Sequence, residues 1–481
     1  MGRNRVTRVL TTVAIVGVLL SSFPAAPATG RSVRRYGRIG SGVVHKIIRN
    51  RKIPRVIHVV IADVAGPSAL KVSLSNGSLP GLERTSSMAR RNNAIAAING
   101  DFFRPSGRPV AAFAKSGELV QTPLVWGANL AFGNGGRRTF MGHPNVSVKL
   151  VTASSGNSVR LARVNEGRPR RSQVKLYTKS GGRLVRPPRN ACSARLRRRG
   201  SNRFVSSTAQ IVAPFKVKAI RCRRARMKLR GGVVVAARRR GQGKAFIRSL
   251  RNHRRQRLAW SLGWPNVAET IGGNPVLVKD GELAYNNLRG SHSIFNVHPR
   301  TGVGIRGDGK ILLVTVDGRR PRYSRGMTLM GFARLMKSLG ARWALNLDGG
   351  GSTTMVVKGR VMNRPSDGRE RPVGSALMIV GSRSSVRTSS ISAEEAGVAA
   401  TDVMPSESAG IGAFGTTTEF SEWSLAQQDP ASIGGLASWL ATEDEPLPPD
   451  LADVARDFDR SRVDDFVEAH PGFIADRDEP N

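Results

Sequence analysis

The stretch NLDGGGSTTM, residues 346–355, is the most informative part of the chain. The apolar residues 343–345 precede it and predict a strand that delivers Asp348 at its end. Glycine tolerates positive φ and close approach, so the backbone amides of residues 349–351 are predicted to converge on an anion, with Asp348 at the mouth. One Asp-Gly pair is typical of an ordinary turn, but three glycines followed by Ser-Thr-Thr are too long for one. The stretch therefore predicts a substrate loop.

The charge of the chain is divided between two parts. Residues 1–388 carry 73 Lys and Arg against 13 Asp and Glu, a net charge of +60, whereas residues 389–481 carry 4 against 20, a net charge of −16. A basic part favours polyanionic partners such as wall polymers, nucleic acid or an anionic membrane, although an Arg-rich composition by itself also produces such a charge. Because acids are scarce in the basic part, each of them is a candidate for a specific role.

The N-terminus has the features of an export signal. Three arginines precede the apolar residues 9–20, and small residues at 26–28 suit cleavage after Ala28. This apolar stretch is shorter than the roughly 20 residues that a membrane span needs, so no stable span is predicted. The expected location is secreted, extracellular or associated with the cell wall. In an oxidising compartment the two cysteines, Cys192 and Cys222, are expected to form a disulfide.

Strand and helix patterns predict an α+β protein with a mixed β-sheet core and flanking helices. Strands of buried type precede Asn99 and Asp317, and apolar residues recur at helical spacing over 329–339, with Thr328 as the N-cap. A strand, this helix and the strand before Asp348 should form a crossover unit. The predicted organisation is a signal peptide (1–28), a basic and poorly ordered leader (29–55), one domain (56–381) and an acidic, largely disordered tail (382–481).

One segment within this domain differs in composition. Residues 163–257 contain 31 Lys and Arg but a single acid, Glu166, and residues 157–258 are predicted to form an inserted, basic, β-rich excursion. Its positive surface is the best candidate for contact with a polyanion. Few aromatic residues accompany the cations, so specific nucleic-acid binding is not expected. A further hypothesis, based on opposite charge and proximity, is that the acidic tail shields the basic domain until it is displaced.

Four blocks outside the excursion share one pattern, in which an apolar strand delivers polar groups at its end. They are Asn-Gly-Asp-Phe-Phe (99–103), Gly-Gly-Asn-Pro (272–275), His-Pro-Arg-Thr-Gly-Val-Gly (298–304) with Asp-Gly-Arg (317–319), and Asp-Gly-Gly-Gly-Ser-Thr-Thr (348–354), followed by Asn-Arg-Pro-Ser-Asp (363–367) and Glu-Arg (370–371). In order and spacing, these blocks resemble the phosphodiester glycosidase family of the uncovering-enzyme type. The resemblance covers residues 56–381, interrupted by the excursion. Asp101 departs from the family pattern, in which many members carry glycine.

The resemblance implies hydrolysis of a bond between a sugar and phosphate. Such a reaction needs a carboxylate near the anomeric carbon and cations or N–H donors around the phosphate. We assign catalysis to Asp348, as nucleophile or base, with Asp317 or Glu269 as its partner. Arg300 and Arg371 would grip the phosphate through their guanidinium groups. The predicted substrate-binding residues are Asn99, Asp101, Gly273, Arg300, Thr301, Gly349, Gly350, Gly351, Ser352, Thr353 and Arg371.

Three of these residues have structural alternatives, and Arg300 could simply be a surface arginine. An Asp before glycine, as at Asp317, is also typical of a hairpin turn, and Asn99 is also suited to capping the backbone at a strand end. The sequence contains no metal-binding motif, so neither a metal nor another cofactor is expected.

The sequence therefore predicts a secreted hydrolase. Its substrate would be a sugar-1-phosphodiester or an anionic glycopolymer, within an extracellular or cell-wall glycoconjugate. The alternative is a non-catalytic binder of anionic cell-wall polymer or polysaccharide, in which the excursion grips the polymer. The presence of both the Asp348 block and the Arg300 block favours the enzyme.

Overall fold

The computed structural model describes residues 31–381, except for residues 51–52, 126, 171–172, 223–226 and 285–292. The predicted signal peptide and acidic tail lie outside the described residues. Within them the chain forms six β-sheets and three α-helices, so the α+β prediction is confirmed in outline, although strands dominate. The helices are α1 (Thr85–Arg91), α2 (Gln242–Asn252) and α3 (Leu329–Ser338).

One of the sheets has eight strands. In spatial order they are β1 (Arg31–Gly40), β2 (Val43–Asn50), β3 (Arg55–Ala62), β26 (Ile311–Val316), β25 (Arg300–Arg306), β27 (Ala341–Leu347), β23 (Val276–Lys279) and β24 (Glu282–Leu283). Residues 31–50, predicted to be a poorly ordered leader, instead supply two of these strands. Because β26 and β27 both run antiparallel to β25 between them, they are parallel to each other, and α3 is their predicted crossover.

The two faces of this sheet carry separate cores. On one face α3 buries Phe332 and Met336 against alternate side chains of the strands, such as Val314. As predicted, Thr328 is the N-cap of α3, and its hydroxyl accepts a hydrogen bond from the amide of Gly331 at 3.1 Å. The opposite face packs on two five-stranded sheets in one continuous cluster of buried apolar residues. The functional site lies at the edge of this second core.

The two five-stranded sheets are built from different strands of the chain. The first contains β29 (Arg360–Val361), β28 (Met355–Val357), β6 (Ala94–Asn99), β31 (Ser375–Gly381) and β4 (Ser68–Leu74). The second contains β10 (Arg138–Gly142), β9 (Ala128–Gly133), β22 (Glu269–Gly273), β7 (Phe113–Lys115) and β8 (Glu118–Gln121). Two-stranded sheets pair β5 (Glu83–Arg84) with β30 (Pro372–Val373) and β15 (Leu184–Val185) with β19 (Met227–Lys228).

The basic excursion forms a sheet of its own. Its strands are β12 (Ser158–Arg160), β11 (Ser147–Thr152), β21 (Arg255–Ser261), β18 (Gln210–Cys222), β16 (Ala191–Arg198), β20 (Gly232–Arg238), β14 (Val174–Tyr177) and β13 (Arg163–Val164), with β17 (Arg203–Val205) beside β18. The sheet begins about ten residues before the predicted boundary, at Ser147. Its apolar face shares a core with β7, β8 and β9. The predicted disulfide is confirmed, since Cys192 and Cys222 are bonded across β16 and β18.

No helix of the described segments is long and apolar enough to cross a membrane.

The disulfide should stabilise the excursion, because it closes a loop between residues 30 positions apart in the sequence. Replacing Cys192 and Cys222 together by serine should lower the free energy of unfolding by about 2–4 kcal/mol, measured by urea denaturation without reductant. Adding a reductant to the wild-type protein should lower its stability similarly, and it should not change the variant. Equal stability of variant and wild type would contradict a structural role for this bond.

Candidate functional site

The candidate site lies where three neighbouring strands of the eight-stranded sheet meet. Asp317 follows β26 and Asp348 follows β27, so both acids leave the same edge of the sheet, on either side of the first residues of β25. Two strand spacings separate their backbones, a distance of about 10 Å. The crossover topology thus brings together two of the three predicted catalytic carboxylates, from positions 31 residues apart in sequence.

Pro299, just before β25, explains why a glycine follows each of these acids. A Cβ at Gly318 would lie 2.6 Å from the Pro299 nitrogen, and a Cβ at Gly349 would lie 2.8 Å from the Pro299 carbonyl oxygen. The same oxygen accepts a hydrogen bond from the amide of Gly350 at 3.0 Å. Both Asp-Gly pairs are therefore needed for close packing around one proline, and neither is an ordinary exposed turn.

The side chain of Asn99 joins three parts of the site. Its Nδ2 donates to the Asp348 carbonyl oxygen at 2.6 Å, and its Oδ1 accepts from the Thr301 hydroxyl at 2.9 Å and from the Thr354 amide at 3.1 Å. The neighbouring Gly100 carbonyl accepts from the Asp348 amide at 3.1 Å. Asn99 is fully buried, so its position favours the capping alternative over direct contact with a ligand.

Several backbone amides of the glycine loop donate hydrogen bonds within the protein itself. The amides of Gly350, Ser352 and Thr353 donate to carbonyl oxygens of Pro299, Gly349 and Gly350, respectively. These donors hold the loop itself, which makes a short 3₁₀ turn over Gly350–Ser352. The three glycines instead permit close approach of neighbouring chains.

Thr301, Ser352 and Thr353 are buried beneath this loop. The Thr301 hydroxyl lies 3.3 Å from the Thr353 hydroxyl, which links β25 to the loop directly. The Ser352 hydroxyl is buried and has no hydrogen-bond partner among the described residues. These side chains support the loop from below, and in this structure they do not face solvent.

Asp348 and Asp101 form a pair of interacting carboxylates. Asp348 is partly exposed, whereas Asp101 is buried, with one oxygen accepting from the Ala111 amide at 3.0 Å. Burial raises the pKa of Asp101 to about 7, and the charge of nearby Asp348 adds to the increase. Burial therefore favours the protonated form of Asp101.

Asp317 is held in a polar network beneath the surface. Its Oδ1 accepts from Asn363 Nδ2 at 3.1 Å and from the Arg364 amide at 3.2 Å, and Asn363 also donates to the Thr353 carbonyl at 2.9 Å. Burial raises the pKa of Asp317, and these hydrogen bonds oppose the increase. Because its side chain is buried, Asp317 stabilises the residues around the site and is not itself exposed at the surface.

A pair of buried histidines continues this network inward. His58 Nε2 lies 3.9 Å from Asp317 Oδ2, and His58 Nδ1 lies 3.4 Å from His45 Nε2. Burial lowers the pKa of His45 to about 4 and that of His58 to about 3, so both are neutral at pH 7. Sequence reasoning missed them, because they lie within apolar strands and carry no motif.

Arg300 has a different role from the predicted phosphate grip. Its side chain points to the α3 face of the sheet, opposite to that of Thr301, since successive residues of a strand alternate. Its guanidinium donates to the carbonyl oxygens of Met327 at 2.9 Å, Ile294 at 2.6 Å and Asn296 at 2.5 Å. Only 2% of Arg300 is exposed. The residue therefore clamps the backbone behind the site and is not positioned to bind a substrate phosphate.

Glu269 is separate from the two aspartates. It begins β22, and Gly273 ends it, about 13 Å away for four residues of extended strand. Gly273 is at the site, because a Cβ there would lie 2.3 Å from the Asn346 carbonyl oxygen. Glu269 accepts instead from the Val72 amide at 2.8 Å, and burial raises its pKa to about 6. Its predicted catalytic role is not supported by this position.

Two arginines border the glycine loop at the surface. Arg371 lies against Gly351 and forms an ion pair with Asp367 at 2.7 Å. The exposed guanidinium of Arg319 lies beside Gly350, close to the position that a Cβ there would occupy. Arg371 was predicted for this place, whereas Arg319 was recognised only as part of the Asp-Gly-Arg block. Both cations lie beside the glycine loop that follows Asp348, and that of Arg371 is paired with Asp367.

Among the described residues, no group of three or more His, Cys, Asp or Glu side chains is arranged to hold a metal ion.

Comparison with known proteins connects this arrangement to a family. Residues 208–380 match the family model of phosphodiester glycosidase. The chain is also 38% identical over 111 residues to N-acetylglucosamine-1-phosphodiester alpha-N-acetylglucosaminidase from Mus musculus, a match that covers 21% of this chain and 21% of the mouse protein. Residues 208–380 are therefore similar to the phosphodiester glycosidase family.

Other similarities within the comparisons are local or concern the fold. The SPbeta prophage-derived uncharacterized protein YomE of Bacillus subtilis is 45% identical over 103 residues, which are 21% of this chain and 16% of YomE. The chain thus spans about a fifth or less of the length of these relatives. A hypothetical protein from Synechocystis has a similar fold, with a TM-score of 0.54 and 21% identity over 72% of this chain and 63% of that chain.

The family match also changes the view of the excursion. It begins at residue 208, inside the predicted insertion, so β18, β20, α2 and β21 belong to the matched region. Asp317, Asp348 and the glycine loop lie within the same matched region. Asn99 and Asp101 lie before it, although the fold brings them to the loop.

The raised pKa of Asp101 predicts a pH-dependent stability. The folded carboxyl group keeps its proton up to about pH 7, while the unfolded group loses it near pH 3.8. The folded state therefore binds more protons between these values, and stability is lost as the pH rises through them. The free energy of unfolding of Asp101→Asn, relative to that of wild type, should therefore be higher at pH 8 than at pH 4.5. Urea denaturation should show a difference on the order of a few kcal/mol between the two pH values.

The matched control is Asp280→Asn, because Asp280 is exposed and pairs with Arg342 at 2.6 Å. The difference in the free energy of unfolding between this control and wild type should change little between the two pH values. The prediction fails if Asp101→Asn and Asp280→Asn differ from wild type by the same amount at both.

Proposed function

We propose that this chain is an exported hydrolase that cleaves the glycosidic bond of a sugar-1-phosphodiester. The observation that carries the proposal is the position of Asp348 at the start of the glycine loop. Its side chain is partly exposed, and its backbone is held by hydrogen bonds with Asn99 and Gly100. Arg319 and Arg371 beside the same loop provide the charge that a phosphate requires. The match of residues 208–380 to the phosphodiester glycosidase family model supports this reaction class.

The reaction follows from the order of these groups. With the substrate phosphate between Arg319 and Arg371, the anomeric carbon would face Asp348. The Asp348 carboxylate then either attacks this carbon, which forms a glycosyl ester that water hydrolyses in a second step, or takes a proton from a water that attacks the carbon. The bond between the anomeric carbon and the phosphate oxygen breaks, and its electron pair leaves with the phosphate. Because phosphate is a good leaving group, the reaction does not need a strong general acid.

The other acids have supporting roles in this proposal. Burial favours the neutral form of Asp101, which limits the negative charge beside Asp348. Buried Asp317 orients Asn363 and the Arg364 backbone, and through Asn363 it fixes the Thr353 carbonyl. Glu269 lies at the far end of β22 and takes no part.

We further propose that the substrate is extracellular or part of a cell-wall glycoconjugate. The Cys192–Cys222 disulfide supports an oxidising compartment, since such bonds are rare in a reducing one. The features of an export signal in the first 28 residues support the same location.

Release of free sugar from aryl-phosphate sugar-1-phosphodiesters and nucleoside-diphosphate sugars tests the proposal. The full chain should release sugar, and Asp348→Asn should lower the turnover by at least about 10²-fold, because it removes the nucleophile or base while keeping the side-chain shape. Glu269→Gln is the matched control, a change from carboxylate to amide at the other end of β22, and it should keep most of the activity.

Three results distinguish the outcomes. If turnover survives in Asp348→Asn, the reaction class stands but the assignment of Asp348 is wrong. If Glu269→Gln loses activity as strongly, the assignment of roles from this geometry is wrong. If a broad panel gives no turnover with a folded protein, the proposed hydrolysis itself is rejected.

A further inference from the structure

The outer face of the nine-stranded sheet is densely basic. Along β18 the buried Val217 lies between the exposed Lys216 and Lys218, in the alternation of a strand with one solvated face. The neighbouring strands alternate in the same way, with Leu196 and Leu258 inward. The outward cations form what we call the outer cationic patch, which consists of Arg195, Arg197, Lys216, Lys218, Arg255 and Arg257.

The strand register places three of these cations side by side. Arg197 pairs with Lys216, and Lys216 pairs with Arg255, so the three lie in a row across β16, β18 and β21. Adjacent strands are about 4.8 Å apart, and side chains two residues apart along a strand are about 6.8 Å apart. Like charges directly opposite one another destabilise a sheet. This row of cations therefore does not stabilise the fold.

Carboxylates that would compensate these charges are missing from the same segment. Glu166 is the one acid between residues 147 and 261, and it pairs with Arg163 at 3.7 Å. Among the ion pairs formed by described residues, none includes a member of the outer cationic patch. The positive charge of the patch is thus available to an external anion.

We propose that the outer cationic patch binds a linear phosphate polymer. A grid of cations with spacings of about 4.8 and 6.8 Å can meet successive phosphates along a chain, whereas a small anion would use only one or two of them. The aromatic residues nearby do not form a stacking platform, because Phe215 and Phe246 are buried in the core on the other face. A phosphate polymer without bases therefore fits the patch better than single-stranded nucleic acid.

This docking surface is separate from the proposed active site and does not depend on hydrolysis. The patch would hold a polymer whether or not the Asp348 site cleaves it. The acidic segment 389–481, with its net charge of −16, is the competing occupant within the same chain.

Binding of the full chain to synthetic poly(glycerol phosphate) tests the proposal, in a titration over a range of salt concentrations. The wild-type protein should bind, and the triple variant Arg197→Gln, Lys216→Gln, Arg255→Gln should bind at least about tenfold more weakly. The slope of log affinity against log salt should fall by about 2, since each phosphate contact on a flexible polyanion contributes about 0.7. Neutral dextran should not bind.

The matched control removes the same formal charge elsewhere. Lys310→Gln, Lys337→Gln and Arg342→Gln remove three cations that are paired with Asp308, Glu282 and Asp280 on the eight-stranded sheet. This variant should bind the polymer within about twofold of wild type, because its charges contact no polymer. The patch variant should unfold at the same or a higher temperature than wild type, because like-charge repulsion is relieved.

Three outcomes overturn the proposal. Equal weakening in both triple variants would mean that net charge alone attracts the polymer. Absence of binding by the full chain, including the case in which residues 389–481 cover the patch, would mean that the polymer is not its occupant. A lower unfolding temperature of the patch variant would mean that these cations have carboxylate partners in the folded protein.

Discussion

The hydrogen bonds of one buried amide, that of Asn99, hold the candidate site together. Asn99 ends a strand of one sheet, and it binds the backbone on both sides of the glycine loop and a hydroxyl of the neighbouring sheet. An amide suits this place because it donates and accepts at once, and the buried groups that it satisfies would be costly to leave unpaired. The loop can therefore present Asp348 at the surface while its own backbone stays fixed.

The sequence predicted the elements that depend on local patterns. The strand before Asp317, the helix with Thr328 as its cap, the crossover and the disulfide all follow from spacing, capping chemistry and compartment, and the structure contains them. The proximity of Asp317, Asp348 and Asn99 was also predictable, because Asp317 and Asp348 follow strands of buried type and Asn99 ends one. Such strand ends meet at a common edge when the strands share a core.

Other features depended on tertiary contacts that a sequence does not display. Arg300 and Thr301 are neighbours in sequence but face opposite sides of β25, so a phosphate role for Arg300 could be tested only once the strand direction was known. Glu269 precedes the Gly-Gly block by a few residues, yet an extended strand carries it away from the site. The glycines were interpreted as a cradle for an anion, whereas Gly349 is required by the approach of Pro299. The leader was judged by its basic composition, but it forms two strands, of which β1 pairs with β2 and β2 pairs with β3.

The account rests on the claim that Asn99 fixes the glycine loop, and amide hydrogen exchange in Asn99→Ala tests it most directly. Peptides covering residues 346–357 should exchange at least about tenfold faster than in wild type, because the Thr354 amide and the Asp348 carbonyl lose their partner, while α3 peptides remain unchanged. Asn129→Ala is the control, since Asn129 is a buried amide that bonds Ala112 and Thr270 away from the loop. Unchanged exchange in residues 346–357, or the same change in both variants, would contradict the account.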